Sequence, residues 1–324
     1  VTGWLLRRIG QAFIVLVLMS LIVFVGLNAI GNPLDILIGE DLNQAERAAA
    51  IARLGLDQPL WQQYLHFIGG ALDGHLGKSY VHHEDALQLV LNRLPATVEL
   101  AVTALLLAIL VGVPLGLFAG LYPDHPLSKL MMATSIIGFS LPSFWVALML
   151  VLFFSVHLGW LPASGRGETR ELFGIQWSWF TLDGWQHLLL PALNLALFKV
   201  SLILRLTRAG VREILPQDFV RFARAKGLSP LRVVLMHVLR NTLIPLVTVL
   251  GLELGSTIAY AVVTENIFAW PGSGKLILDS INSLDRPVVV AYLMVVVVIF
   301  VTLNLIVDIL YRVLDPRVRL EAAR

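Results

Sequence analysis

The chain has 324 residues, 57% of them apolar and only 14% charged, with a mean hydropathy of +0.79; soluble domains carry about 25% charged residues, so lipid is the expected solvent. Its 24 basic and 22 acidic side chains leave a formal charge of +2, which gives no global footprint for nucleic acid. Cysteine is absent, which excludes disulfides, thiol catalysis and Cys-based metal or iron–sulfur centres.

Arg7-Arg8 precede a long apolar run without a small-residue cleavage site, the pattern of a retained membrane anchor and not of a removed signal peptide. A crossing of the bilayer needs roughly 20 mostly apolar residues. Six stretches are read as spans: Ile9–Ile30, Leu100–Leu121, Leu130 to about His157, about Trp185 to Leu206, about Leu243 to Thr264, and Val288–Val307. The fourth is the least apolar. Its Lys199 and Arg205 are expected near a helix end, where long basic side chains snorkel to the interface.

Orientation follows from the bias of Lys and Arg towards the cytoplasmic side. With the N-terminus inside, the inner segments hold Arg7, Arg8, Lys129, the basic run from Lys199 to Arg240, and Arg312, Arg317, Arg319 and Arg324. That is twice the number left to the longer outer segments, so both termini are expected in the cytoplasm.

The first outer segment, residues 31–95, is too long and too patterned for a linker. Asn43 suits the cap of a helix running to Arg53 and stopped by Gly55; Asp57 and Pro59 suit the start of another, with Trp61, Tyr64, Leu65 and Ile68 at helical spacing. That aromatic face either packs on the bundle, lies at the headgroups or meets a delivering protein. Trp160, Trp177, Trp179 and Trp185 read as anchors at the membrane interface. Gly112, Gly116 and Gly120, and Gly251 with Gly255, have the spacing that lets helix backbones approach closely.

The inner segment between spans four and five, residues 207–242, is strongly basic and internally designed. Pro216 and Asp218 suit a helix start; Phe219, Phe222 and Ala223 fall on one face with Arg221 and Arg224 displaced from it; Gly227 stands where a helix stops. Ser229-Pro230 then reads as the cap and first residue of a further helix, Leu231 to about Arg240. Such a helix either rests on anionic lipid or docks into a soluble partner.

The run Phe219-Val220-Arg221-Phe222-Ala223-Arg224-Ala225-Lys226-Gly227-Leu228-Ser229, with His237-Val238-Leu239-Arg240-Asn241 and Leu243-Ile244-Pro245, resembles the cytoplasmic loop of binding-protein-dependent ABC permeases of the dipeptide, oligopeptide and nickel group. The resemblance extends along the chain through Leu54-Gly55-Leu56-Asp57, Leu94-Pro95-Ala96-Thr97, Thr264-Glu265-Asn266-Ile267-Phe268, Trp270-Pro271-Gly272, Asp285 with Pro287 and Val288, and Asp315-Pro316-Arg317. Two places depart from the family. Arg221-Phe222-Ala223 stands where many importers have Glu-Ala-Ala, and Gly31-Asn32-Pro33 where the family has Pro-Gly-Asp-Pro.

The resemblance implies an all-α ABC importer permease of the bacterial inner membrane with six transmembrane helices, divided into residues 1–30, the outer segment 31–95, the core 96–311 with its coupling loop 207–242, and the tail 312–324. It implies that Phe219, Arg221, Phe222, Ala223, Arg224, Ala225, Lys226 and Gly227 form a coupling helix seated on an ATPase subunit. The implied partners are a second, homologous permease subunit, two cytoplasmic ATPase subunits that bind the ATP and Mg, and an extracytoplasmic solute-binding protein. This chain then binds no cofactor and performs no bond-breaking chemistry. The implied solutes are dipeptides or oligopeptides, with nickel chelates or glutathione-like solutes as the alternative cargo of the same machinery.

Glu253, midway along span five, costs at least ~2.5–3.5 kcal/mol to insert, so it either lines a pathway or makes a buried hydrogen bond. Ser140, Pro142 and Ser143 interrupt span three and either line a pathway or pack as a kink. Asn194 and Asn304 read as interhelical glue. The histidines lack metalloprotease spacing, no Gly-x-Ser-x-Gly elbow occurs, and Gly272-Ser273-Gly274-Lys275 lacks the upstream spacing of a Walker A loop. An ion-coupled secondary transporter with Glu253 as proton carrier requires an inverted repeat or paired broken helices, and an intramembrane enzyme requires a second reactive group beside Glu253; the sequence displays neither.

Overall fold

The computed structural model describes residues 2–29 and 58–314. The expected Asn43–Arg53 helix, the first outer turn at Gly31-Asn32-Pro33, the Leu54–Asp57 motif and the tail motif Asp315-Pro316-Arg317 lie outside the described residues. The helices in chain order are α1 (Thr2–Ala29), α2 (Leu60–Leu72), α3 (Ala86–Leu121), α4 (Pro126–Ser140), α5 (Ser143–Leu150, continued as π-helix Val151–His157), α6 (Leu182–Ile214), α7 (Asp218–Ala225), α8 (Pro230–Arg232, continued as π-helix Val233–Leu239), α9 (Arg240–Tyr260), α10 (Val262–Ile267), α11 (Ser273–Asn282) and α12 (Arg286–Leu314). Between α5 and α6, β1 (Arg170–Leu172) and β2 (Ile175–Trp177) pair antiparallel with Leu172 opposite Ile175. Among the described residues four helices are long and apolar enough to cross a membrane, and six crossings result if each of two bent pairs counts as one.

The third span is broken, not merely kinked. Pro142 disfavours helical backbone at the residue before it. Leu141 and Pro142 are both extended, with ψ of 138° and 133°, so α4 ends at Ser140 and α5 leaves at an angle of 106°. In the fifth span Pro245 removes one backbone hydrogen bond, and the helix bends by 49°.

Contacts divide the chain into two compact units, residues 1–95 with 272–302 and residues 96–271 with 303–324. In the first, Tyr64 of α2 packs edge-on against Phe24 of α1 at 5.4 Å and shares a 2.8 Å hydrogen bond with Ser20. The aromatic face of α2 is thus spent partly on the anchor helix. Asp285 is fully buried; its carboxylate accepts from the Ser79 hydroxyl at 2.5 Å and from the Tyr80 amide at 3.0 Å. This carboxylate ties the chain ahead of α3 to the start of α12.

The second unit is held by a seam between α3 and α6. A Cβ at Gly116 would stand 2.6 Å from the Leu204 carbonyl oxygen, and one at Gly120 2.6 Å from Val211 Cβ. Gly112 meets Ile203 in the same way, so the small-residue stripe is the line of closest helix approach. Gly251 of α9 does the same against Val307 of α12. Asn194 donates to Thr264 at 2.9 Å, the interhelical bond expected of it.

Gly116→Leu forces side-chain volume into this seam, and overpacking of this kind costs about 1–3 kcal/mol. The purified protein should melt at a lower temperature, while Gly69→Ala, where an added Cβ meets nothing within 4 Å, should leave the melting temperature unchanged or slightly raised. Wild-type melting of Gly116→Leu would contradict the α3–α6 seam.

Candidate functional site

The helix α7 is short, with Asp218 in its first turn and Arg224 in its last, both complementing the helix dipole. It stops as expected. Gly227 adopts φ of +78°, its amide donates to Arg224 O at 2.9 Å, and the Leu228 amide reaches back to Ala223 O at 3.4 Å. The two sides of α7 differ sharply. Val220 and Ala223 are buried in a cluster with Val211, Val233 and Val238, whereas Phe219 and Phe222 are 44% and 61% exposed. Arg221, Arg224, Ala225, Lys226 and Gly227 are exposed around them, and the Lys226 ammonium sits 4.6 Å from the centre of the Phe222 ring.

The sequence reading that put Ala223 on one outward face with Phe219 and Phe222 is therefore corrected: Ala223, at 4% exposure, faces its own chain. Val220 and Ala223, three apart, share the inner stripe, and Phe219 and Phe222, also three apart, share the outer one. The inner stripe ties α7 to the cytoplasm-expected end of α6 through Val211 and to the π-helical segment leading into α9 through Val233 and Val238.

Glu253 of α9 forms an ion pair with Lys199 of α6. Ser256 completes the group: Lys199 Nζ also donates to its hydroxyl at 3.3 Å, and that hydroxyl donates to the Glu253 carbonyl at 2.9 Å. Lys199 is thus mid-helix in α6 and compensated by a carboxylate, not placed at a helix end for snorkelling. Ser140 and Pro142 are not drawn into this group. The Ser140 hydroxyl donates to Ile136 O at 3.0 Å within its own helix, and Pro142 caps α5. An apolar cavity of about 450 Å³ lies beside this break, with Gly138, Leu141, Trp145, Met149, Ser201 and Leu204 among its walls.

A second polar group was not legible in the sequence. Glu99 of α3 is fully buried and accepts from the amides of Ser178 at 2.6 Å and Trp179 at 3.1 Å and from Arg166 Nη2 at 2.7 Å. Arg166 also donates to Gln176 O at 2.6 Å and Ser178 Oγ at 3.2 Å, and its guanidinium lies 5.6 Å from the centre of the Trp270 ring. Two motifs quoted above interlock here. Thr97 donates to the buried Glu265 at 2.6 Å, Trp270 Nε1 donates to Ala96 O at 2.9 Å, and Gly165 N donates to Phe268 O at 2.8 Å. Trp179 and Trp185 spend their indole N–H groups on Thr103 Oγ1 and Trp179 O, both at 2.8 Å. Trp179 thus spends its polar edge within the protein and is half-buried against the Ala96–Leu100–Trp270 cluster.

Four to six apolar crossings among the described residues, a basic hairpin presenting exposed aromatics, and paired charges between helices are the features of a polytopic membrane permease. The chain belongs to the binding-protein-dependent transport system inner membrane component family, whose model matches residues 112–320, with the N-terminal component of such systems matching residues 1–101. It is 40% identical to the di/tripeptide transport system permease protein DppB of Pseudomonas aeruginosa over 98% of both chains. It is 36% identical to the oligopeptide transport system permease protein AppB of Bacillus subtilis over 98% of this chain and 99% of that one, and 33% identical to the glutathione transport system permease protein GsiC of Escherichia coli over the same shares. The MetNI methionine ABC transporter in an inward-facing conformation shares its fold at a TM-score of 0.55 and 17% identity, over 70% of this chain and 97% of that one.

Removing one partner of a buried ion pair costs about 3–5 kcal/mol, because the other charge is left uncompensated. Arg166→Met should therefore strongly destabilise the 165–181 segment, seen as rapid protease cleavage there, while Arg170→Ala on the exposed strand should change little. Equal protease resistance of the two variants would contradict the role given to Glu99.

Proposed function

We propose that this chain is a permease subunit of an ATP-driven ABC importer for dipeptides or oligopeptides. It pairs with a second, homologous permease subunit, two ATPase subunits on the cytoplasmic side and a solute-binding protein on the other. Solute moves by alternating access. ATP and Mg are bound and used by the ATPase subunits, and this chain supplies the path and the coupling. Its termini and the 207–242 loop lie in the cytoplasm, in keeping with the Lys and Arg bias. Full-length similarity to permeases named for di/tripeptides and oligopeptides supports the cargo class.

The observation that carries the coupling role is the two-sided α7. Exposed large apolar side chains ringed by charge, on a helix whose other face is fixed into its own chain, are the anatomy of a docking knob. Phe219 and Phe222 enter a cleft of an ATPase subunit, with Arg221, Arg224 and Lys226 at the rim. Closure of the ATPases then pushes α7, and its buried side passes the displacement to α6 and α9.

Placing a charge at such an anchor costs about 2 kcal/mol or more, which is roughly thirtyfold or more in affinity. Phe222→Glu should abolish co-purification of the ATPase and uptake while the chain inserts and melts as wild type, since the ring is 61% exposed. Ala223→Glu, by contrast, should lower the melting temperature, because it buries a carboxylate in the valine cluster. Wild-type ATPase recovery and unimpaired uptake with Phe222→Glu would overturn the docking role.

A further inference from the structure

The two ion pairs of the second unit are built differently. Glu99 and Arg166 have side-chain exposures of 0% and 15%, and every oxygen and most donors are matched by backbone or side-chain partners. Lys199 and Glu253 keep exposures of 19% and 24%, and among the described residues their charged groups meet only each other and Ser256. An ammonium has three donors and a carboxylate about four acceptor sites, so both groups retain capacity on their open side. That open side cannot face lipid tails, because an ionised group there costs several kcal/mol; it faces water or protein.

Such a pair does little for stability, since well-packed apolar side chains serve as well or better. What it does provide is opposite charge held at a fixed spacing between two spans. A solute with one ammonium and one carboxylate can exchange with it, with each protein charge trading its partner for a solute charge. The exchange leaves no group uncompensated. A neutral or singly charged solute leaves at least one protein charge without a partner if the pair opens, which opposes its passage.

We propose that Lys199 and Glu253 form an exchange site for the charged termini of a zwitterionic solute, with Lys199 taking the carboxylate and Glu253 the ammonium. Ser256 guides the exchange, because its hydroxyl lies 3.3 Å from both Lys199 Nζ and Glu253 Oε2. The inference rests on the permease reading and adds to it the residues that select for charge at both ends of the solute.

The test uses the purified complex of this chain with its partner permease and ATPases, without the solute-binding protein, and measures affinity for three probes: alanyl-alanine, its N-acetyl derivative and its C-terminal amide. The wild type should prefer the free dipeptide over either blocked form by about tenfold or more. Glu253→Gln should lose the preference over the acetylated probe and keep that over the amide; Lys199→Met should show the mirror image. If a single variant does not assemble, Lys199→Met with Glu253→Gln removes both charges together and should abolish both preferences without loss of assembly. Equal wild-type affinity for the three probes, or variants that keep the wild-type preferences, would overturn the exchange site. ATP-driven uptake by the wild type, measured alongside, separates the two readings: uptake without the crossed pattern leaves the permease intact and removes only the exchange site.

Discussion

Burial of charge among apolar helices is the constraint from which most of this structure follows. Without water in the hydrocarbon, each carboxylate placed on a span needs a donor from another part of the chain. Glu99, Glu265 and Glu253 each have one, and each bond joins segments far apart in sequence. Glu99 secures the 165–181 segment, Glu265 ties the start of the 96–121 stretch to α10, and Glu253 joins α9 to α6. The polar contacts thus set register and partner where apolar packing alone, which is nearly uniform in lipid, specifies little.

The same molecule uses satisfied and unsatisfied polarity for different ends. The Glu99 group is closed and supports a fixed shape. The Lys199–Glu253 pair is open on one side and suits a step in which partners change. The α7 hairpin packs at the far end of α6, and its valine cluster joins it to that end and to the π-helical entry of α9, the two helices that carry the open pair. A displacement of α7 therefore has a packed route to Lys199 and Glu253. The π-turns and the Pro245 bend give α9 two places at which to absorb it.

Much of this was legible in the sequence, because hydropathy, glycine spacing and cap residues act locally. The apolar spans, the Gly112–Gly116–Gly120 seam, the Gly227 stop and the Asn194 bond all follow from such signals. Family motifs named the class but not the contacts: nothing in Leu94-Pro95-Ala96-Thr97 says that Trp270 will seal against the Ala96 carbonyl. The face of α7 was misassigned because Phe219 with Phe222 and Val220 with Ala223 fit the helical period equally, and only the valine cluster decides between them. Lys199 was placed at a helix end because its acid lies 54 residues away. The sharp break after Ser140 was underestimated, since Pro142 announces a disturbance but not its angle. The hairpin at 170–177 turns through Phe173 and Gly174, both at positive φ, without an Asn-Gly or Asp-Gly signal.

The central claim is that solute crosses through this chain at the expense of ATP used by separate subunits. Proteoliposomes containing the chain with its partner permease and ATPases, supplied with the solute-binding protein and a radiolabelled dipeptide, test it directly. The account predicts accumulation that requires ATP and the binding protein and that persists when a protonophore collapses the proton gradient. Accumulation by this chain alone, driven by an imposed proton gradient without ATP, would contradict it.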